Sequence, residues 1–215
     1  MFILTLEGLL ESLYMTVIST VVAYVIGIPL GMLLVVTDKD GISPHRTANL
    51  ILGTIVNCLR SVPFLILMLA LVPFTRFVVG TSIGWKAATV SLIVASFPFV
   101  ARVVESSLKE VDHGVIEAAQ SMGASKLQII TKVLLPEAKP SLIVGAALSI
   151  TAILGYSAMA GIVGGGGLGA IAINYGYYRK EVDIMWVMIV ILVLLVQLFQ
   201  GVGNLAARKC DKRIR

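Results

Sequence analysis

One serine and a row of glycines are the residues of this chain whose spacing suggests chemistry. Ser157 lies in the sequence GYSAM, residues 155–159, which lacks the last glycine of the G-x-S-x-G turn that presents a serine nucleophile. Such a serine needs a general base, and the two histidines, His45 and His113, fall in polar connecting segments. We therefore do not expect serine hydrolysis.

The glycines match a nucleotide motif in spacing alone. Gly164, Gly166 and Gly169 satisfy G-x-G-x-x-G, but no strand-like sequence precedes them, as a dinucleotide site requires. The chain also lacks the G-x-x-x-x-G-K-[ST] phosphate loop. We therefore expect no enzymatic activity and no cofactor on this chain, and any nucleotide-driven work must draw on another polypeptide.

The composition is that of a membrane protein. Hydrophobic residues make up 58% of the 215 residues and charged residues 13%, against about 25% charged residues in soluble domains. Residues 12–37 and 187–207 contain no charged residue at all. Because a helix of about 20 apolar residues crosses the hydrocarbon of a bilayer, these stretches predict membrane-spanning helices.

The hydropathy pattern predicts five spans. These are Leu13–Val36, Thr54–Thr75, Ile83–Ala101, a helix that starts after Pro140, and Ile184–Ala207. The second span would place Arg60 in its first turns, at the membrane interface. There the guanidinium could extend to lipid phosphate, with a carboxylate inside the bundle as the alternative partner. Apart from Arg60, these spans hold almost no ionisable side chains.

The distribution of lysine and arginine predicts the orientation. Twelve of the 17 fall on one side: in the loops 38–48 and 102–140 and in the tail 205–215. Four fall on the other side and one, Arg60, within a span. Positive residues mark the cytoplasmic side. We therefore expect the N-terminus outside and the tail in the cytoplasm. The net charge of +5 then needs no nucleic acid to explain it.

The polar segment 112–136 predicts two short helices on the cytoplasmic side. Asp112 can cap a helix that ends at Ser121, and Gly123 suits the left-handed residue that follows a helix. Ser125 and Gln128 have the spacing of a capping box.

Two prolines then set the expected boundaries of the membrane helix that follows. We expect Pro136 to end the second short helix, and Pro140 to lie in the first turn of the fourth span.

The predicted short helices each carry an apolar face. The two sets of residues are Val115, Ala119 and Met122 on the first helix, and Leu127, Ile130 and Leu134 on the second. Helices of about three turns need such a face to be packed against something. The pattern leaves open whether they pack on the chain's own membrane helices or on another protein.

The same segment carries an acidic residue, small residues and a leucine–proline pair at fixed spacing: Glu117, Ala118, Ala119, Gly123, Leu135 and Pro136. This pattern resembles the EAA loop of ABC importer permeases, with Val133 where isoleucine is common. The resemblance covers residues 9–204, which we take as the permease domain, followed by the short basic tail 205–215. It implies coupling helices that dock on two separate ATPase subunits, which carry the ATP and magnesium.

A glycine-rich stretch follows the fourth span and indicates a break in helical geometry. Non-helical backbone at membrane depth is tolerated where it is buried in protein or lines a cavity. We therefore expect a pathway or gate here, with the following candidate residues: Tyr156, Ser157, Met159, Gly164 and Gly165. Close helix packing is the alternative role for these glycines.

The stretches LRSVPF, residues 59–64, and GYSAMAGIVGGGGLG, residues 155–169, are similar to those of methionine-type importer permeases. This resemblance implies an all-α type I permease fold in the bacterial inner membrane, a homodimer, and an external substrate-binding lipoprotein. The alternatives are an importer of another amino acid or an osmolyte, and a passive channel or secondary carrier. A carrier would place ionisable residues inside its spans.

Overall fold

The computed structural model describes residues 2–210, and over that range the chain forms helices and their connections without a strand. The α-helices are α1 Phe2–Val36, α2 Arg46–Ser61, α3 Phe64–Ala70, α4 Val72–Val79, α5 Trp85–Lys109, α6 His113–Ser121, α7 Lys126–Ile129, α8 Leu135–Ala160, α9 Gly167–Ile171 and α10 Val182–Cys210. A π-helical turn, Ile130–Leu134, joins α7 to α8, and another, Ala172–Tyr178, follows α9. Residues 211–215 of the predicted basic tail lie outside the described residues.

Four helical stretches within residues 2–210 are long and apolar enough to cross a membrane, and the bent pair α2–α3 would be a fifth. The prediction of an all-α membrane protein is therefore confirmed. Two spans are longer than expected: α1 begins at Phe2 instead of Leu13, and α5 continues to Lys109 instead of ending at Ala101. The predicted spans stopped short of Glu11 and Arg102 because these residues are charged, but both find partners inside the protein.

The second predicted span is not one continuous helix. The α2 helix starts at Arg46, and the chain bends by 97° between α2 and α3. Pro63 causes this break, since it has no N–H to donate and forces Val62 into an extended conformation (φ −78°, ψ 124°). Arg60 therefore lies in the last turn of α2, and the expected helix from Thr54 to Thr75 is wrong.

The fourth span begins earlier than predicted, because neither Pro136 nor Pro140 ends a helix. The chain stays helical from Lys126 to Val163. Directly before Pro136 the helix widens, and the N–H of Leu135 donates to the carbonyl of Ile130, five residues back. A wider turn of this kind accommodates a local change in the hydrogen-bond ladder, so the proline ring enters without a break.

Two glycines let α1 and α5 approach closely. A Cβ atom on Gly27 would lie 2.6 Å from Val100 Cγ1, and one on Gly31 would lie 2.7 Å from the carbonyl oxygen of Ala101. Small residues allow this approach, and dispersion contacts between the backbones hold membrane helices together. The α1–α5 pair therefore forms the centre of the bundle.

Charged side chains form a network where α1 ends, which we call the Asp38 end of the bundle. Lys109 Nζ lies 2.7 Å from Asp38 Oδ2 and 3.0 Å from Glu105 Oε1. Arg102 bonds to Glu105 at 2.6 Å and to the backbone oxygen of Gly53 at 2.9 Å. The Lys109 hydrogen bond lowers the pKa of the Asp38 carboxyl. The network joins α1, α2 and α5, and it lets α5 extend past Arg102.

We expect Gly31→Ala to destabilise the protein by about 1–3 kcal/mol, because its methyl group would press α1 away from the α5 backbone. The measurement is the unfolding midpoint of the purified protein in mixed detergent micelles. Gly201→Ala in α10 is the matched control, since no heavy atom lies within 4 Å of its Cβ position. Equal effects of the two substitutions would contradict this account of the α1–α5 contact.

Candidate functional site

The first short helix of the polar segment forms as predicted. Asp112 caps α6, and its Oδ1 accepts a hydrogen bond from the N–H of Gly114 at 2.6 Å. Gly123 adopts the left-handed conformation (φ 77°), and the N–H of Ala124 donates to the carbonyl of Ala119 at 3.1 Å. This is a Schellman end, which satisfies carbonyls that the helix itself leaves without donors. We call residues 112–136 the coupling segment, after the role that the sequence resemblance implies for them.

The second short helix opens with the predicted capping box. Ser125 Oγ accepts from the N–H of Gln128, and Gln128 Oε1 accepts from the N–H of Ser125 at 2.8 Å. Lys126 Nζ also donates to Ser43 Oγ, 2.8 Å away in the α1–α2 loop. The capping box fixes the start of α7, and the lysine ties it to the end of α1.

The apolar residues of the coupling segment divide into a buried and an exposed set. Ala119, Ile129 and Leu134 are buried, the last within a cluster that contains Val104 and Leu108 of α5. The exposed set consists of Val115, Met122 and Leu127, which are 45%, 82% and 70% exposed. Each predicted apolar face is therefore divided between buried and exposed residues, and the buried Ile129 was not among the predicted residues.

The six residues of the predicted coupling motif occupy different environments. Glu117, Ala118, Gly123 and Pro136 are exposed, Leu135 is half-buried, and Ala119 is buried. Glu117 also lines a cavity of about 390 Å³ that reaches Asp38 at the end of α1. The segment thus has an anchored inner side and an exposed outer side with apolar and acidic groups.

The glycine segment, residues 161–169, lies at the opposite end of the bundle, which we call the Glu11 end. Glu11 Oε2 accepts a hydrogen bond from the N–H of Gly167 at 2.7 Å, and Ser12 Oγ accepts one from the N–H of Leu168 at 2.9 Å. The first residues of α9 are therefore capped by two side chains of α1, 156 residues away. An N–H group without a hydrogen-bond partner inside the membrane would destabilise the protein.

The backbone of the glycine segment needs glycine at its turning points. Gly166 and Gly167 have φ values of 79° and 76°, which other residues rarely adopt. A Cβ on Gly166 would also lie 2.6 Å from the Glu11 carboxylate. These two glycines are thus required by the turn that brings α9 against α1.

The predicted gate residues do not form one cluster. Tyr156 stacks on Phe64, with ring centroids 5.1 Å apart, whereas Ser157 is buried and donates to the carbonyl of Leu154 within its own helix. Met159 is 40% exposed on the surface of the protomer. Gly164 is exposed and Gly165 is buried in the turn that follows α8.

Sequence reasoning did not identify Glu11 and Ser12 as part of this site. Their partners are backbone N–H groups far along the chain, so no local pattern marks them. The only signal is a carboxylate inside an apolar helix, which usually has a partner. Among residues 2–210 there is no group of three or more histidine, cysteine, aspartate or glutamate side chains that could hold a metal ion.

The family described as "Binding-protein-dependent transport system inner membrane component" matches residues 23–215. The chain belongs to this family. The resemblance to ABC importer permeases is therefore confirmed, and with it the location of the permease in an inner membrane.

Curated relatives are similar over nearly the whole permease. The chain is 49% identical to the probable D-methionine transport system permease protein MetI of Vibrio cholerae, over 98% of this chain and 93% of that protein. It is 50% identical to the protein of the same name from Pasteurella multocida, over 95% and 94%. It is 46% identical to the methionine import system permease protein MetP of Bacillus subtilis, over 84% and 82%.

Solved structures share the fold. One chain of the inward-facing MetNI methionine ABC transporter superposes with a TM-score of 0.95 at 45% identity, with 97% of both chains covered. A chain from an amino acid ABC transporter superposes with a TM-score of 0.79 at 20% identity, which supports the fold alone. The predicted type I importer fold is therefore confirmed.

We expect Glu11→Ala to destabilise the permease by about 1–3 kcal/mol, because the buried N–H of Gly167 would lose its acceptor. Glu11→Gln keeps an oxygen at the same place, so its loss of stability should be less than half of the loss caused by Glu11→Ala. The measurement is the unfolding midpoint in detergent micelles. Glu7→Ala, an exposed carboxylate one turn earlier, should have little effect, and a loss as large as that of Glu11→Ala would contradict the capping role.

Proposed function

We propose that this chain is the permease subunit of an ATP-driven methionine importer. Identities of 45–50% to proteins named methionine permeases, over most of both lengths, support the substrate. The observation that carries the coupling role is the exposed set Val115, Met122 and Leu127. Three large apolar side chains on a rigid, capped segment form a surface that a protein partner would cover.

In this proposal the Asp38 end faces the cytoplasm and the Glu11 end faces outside. The excess of lysine and arginine in the loops near Asp38 and in the tail supports this orientation. The N-terminus is then outside and the C-terminus inside. The coupling segment lies where an ATPase can reach it, and the glycine segment lies near the external binding lipoprotein.

The proposed complex contains two copies of this chain, two ATPase subunits and one binding protein. Few helices per chain favour a solute path between two copies related by a two-fold axis. ATP and magnesium belong to the ATPase subunits, and this chain performs no hydrolysis. In each copy, Glu117, Ala118, Ala119 and Gly123 shape the surface that the ATPase contacts, and Leu135 and Pro136 connect it to α8.

Motion of the coupling segment would be transmitted through its anchored side. Val111 and Leu134 lie in the same buried cluster as Val104 and Leu108 of α5, and Lys126 bonds to the loop that follows α1. Closure of the ATPases would therefore move α1 and α5 together. At the other end α1 holds the glycine segment, so the gate could open in response. ATP hydrolysis is coupled to transport only if the coupling segment makes different contacts in the two conformations of the transporter.

A secondary carrier is less well supported than an ATP-driven importer. The spans were expected to hold almost no ionisable residue apart from Arg60, but Glu11, Arg102 and Glu105 also lie in long apolar helices. These groups are bonded to backbone or to each other, however, as a structural role requires. The gate candidates Tyr156, Ser157, Met159, Gly164 and Gly165 are uncharged.

The decisive test is uptake by vesicles that contain the permease, its ATPase and its binding protein. We expect methionine uptake to require ATP and all three components, and other amino acids or osmolytes to enter at least tenfold more slowly. Methionine uptake without the ATPase would identify a channel or carrier. Faster uptake of a different solute would overturn the substrate assignment.

We expect Met122→Lys to lower ATP-driven uptake about tenfold or more, because a charge would be placed in an apolar contact worth at least about 1.4 kcal/mol. Gln120→Lys is the matched control, because Gln120 lines the cavity that reaches Asp38 and is not part of the exposed apolar set. The readouts are uptake, and the amount of ATPase that co-purifies with the permease. Normal uptake by Met122→Lys would argue against this docking surface.

A further inference from the structure

The bend between α2 and α3 encloses one side of a cavity of about 220 Å³. The lining residues come from the bend, from α5 and from α8: Leu59, Arg60, Val62, Phe64, Leu67, Ala95, Phe99 and Tyr156. Arg60 is the single charged residue of this lining, and Tyr156 adds a hydroxyl group. The remaining walls are aliphatic and aromatic.

The cavity lies about halfway along the length of α5. Ala95 and Phe99 flank the midpoint of α5, which runs the length of the bundle from Trp85 to Lys109. Arg60 therefore lines a cavity next to the midpoint of α5, one turn of α2 beyond Asn57, which bonds to Arg102. A charged residue among membrane-spanning helices is costly, and one without a partner in the protein suggests a solute pathway.

Arg60 differs from Arg102, the half-buried arginine of α5. Arg102 bonds to Glu105, to the carbonyl of Gly53 and to Asn57. Among residues 2–210, no carboxylate or carbonyl pairs with the Arg60 guanidinium, and its side chain is exposed on the protomer. Its five donors are thus available to a ligand.

The walls of the cavity are held in place by the fold. Pro63 ends α2 and positions Phe64, which is 8% exposed and stacks on Tyr156 with an interplanar angle of 16°. The same short motif therefore supplies the cation, the bend and the aromatic wall. The cavity exists because of the break that divides α2 from α3.

We propose that this cavity binds the solute during transit, and that Arg60 holds its carboxylate. The inference rests on the proposed function and names the solute class as an α-amino acid with an uncharged, apolar side chain. A guanidinium binds a carboxylate through two parallel hydrogen bonds. The aromatic rings Phe64, Phe99 and Tyr156 offer contacts that a thioether side chain favours.

The size of the cavity agrees with a small solute. Pockets for drug-sized ligands have volumes of about 300–1,000 Å³, so about 220 Å³ suits a single amino acid. A lipid phosphate, the partner expected for an interfacial Arg60, shares the anionic chemistry. Phosphate head groups lie at the ends of a spanning helix, however, and this cavity lies at its middle.

The test uses the complete transporter in a background in which Cys58 and Cys210 are replaced by serine. Ala95→Cys then places a thiol in the cavity wall, and its rate of reaction with a maleimide is measured. We expect methionine to slow this labelling at least threefold, and methioninamide, which lacks the carboxylate, to have no effect. With Arg60→Gln, methionine should no longer protect the thiol. Unchanged protection in Arg60→Gln would overturn the proposal.

Uptake by reconstituted vesicles supplies the second readout. We expect Arg60→Gln to lower methionine uptake about tenfold and Arg60→Lys to restore part of it, while binding-protein-stimulated ATP hydrolysis persists. Arg76→Gln, an exposed arginine on α4, is the matched control and should transport normally. Normal uptake by Arg60→Gln would also overturn the proposal.

The outcomes separate this proposal from its alternatives. If the unsubstituted transporter does not import methionine, the proposed function fails, whatever Arg60 does. If it does import methionine but Arg60→Gln behaves normally, only the cavity assignment fails. Native mass spectrometry counts bound phospholipids, and loss of one phospholipid in Arg60→Gln with unchanged methionine protection would identify a lipid anchor and overturn the proposal.

Discussion

Every backbone N–H and carbonyl in the hydrocarbon must find a partner inside the protein, and the two breaks in this fold satisfy that constraint in different ways. At the glycine segment, Glu11 and Ser12 of α1 accept the hydrogen bonds that the start of α9 cannot form internally. At the other break, Pro63 removes one donor outright. At one break α1 supplies the missing acceptors, and at the other the proline reduces the number of donors that need a partner; both breaks adjoin the candidate pathway.

The helix α1 connects the two functional ends of the permease. Its first turns cap the glycine segment, its glycines pack against α5, and its last residue precedes the Asp38–Lys109 ion pair. Interfaces with such close packing move as units, because a packed contact resists continuous deformation. In the proposed mechanism, a displacement applied at the coupling segment would reach the gate candidates through α1, to which Lys126 is joined by its bond to Ser43.

The helix caps of the coupling segment were predicted correctly, whereas the long-range bonds and the effect of Pro136 were not. Asp112, Gly123 and the Ser125–Gln128 pair act on N–H groups and carbonyls within a few residues, so their roles follow from spacing alone. The bond from Gly167 to Glu11 joins residues 156 positions apart, which one sequence does not reveal. Pro136 was misread because a π-helical turn before it removes the conflict that normally ends a helix.

The second span was predicted as one continuous helix, and the bend at Pro63 that replaces it matters for the proposed function. A straight helix through Arg60 would have placed its guanidinium near the lipid head groups, where a basic side chain does not indicate a solute site. The 97° break instead brings the end of α2 against the middle of α5 and seats Phe64 on Tyr156. Because the fold offers Arg60 no carboxylate there, a group from outside the described chain is the partner that would stabilise its charge. A solute with a carboxylate meets that need only while it passes, which suits a transporter better than a permanent ion pair would.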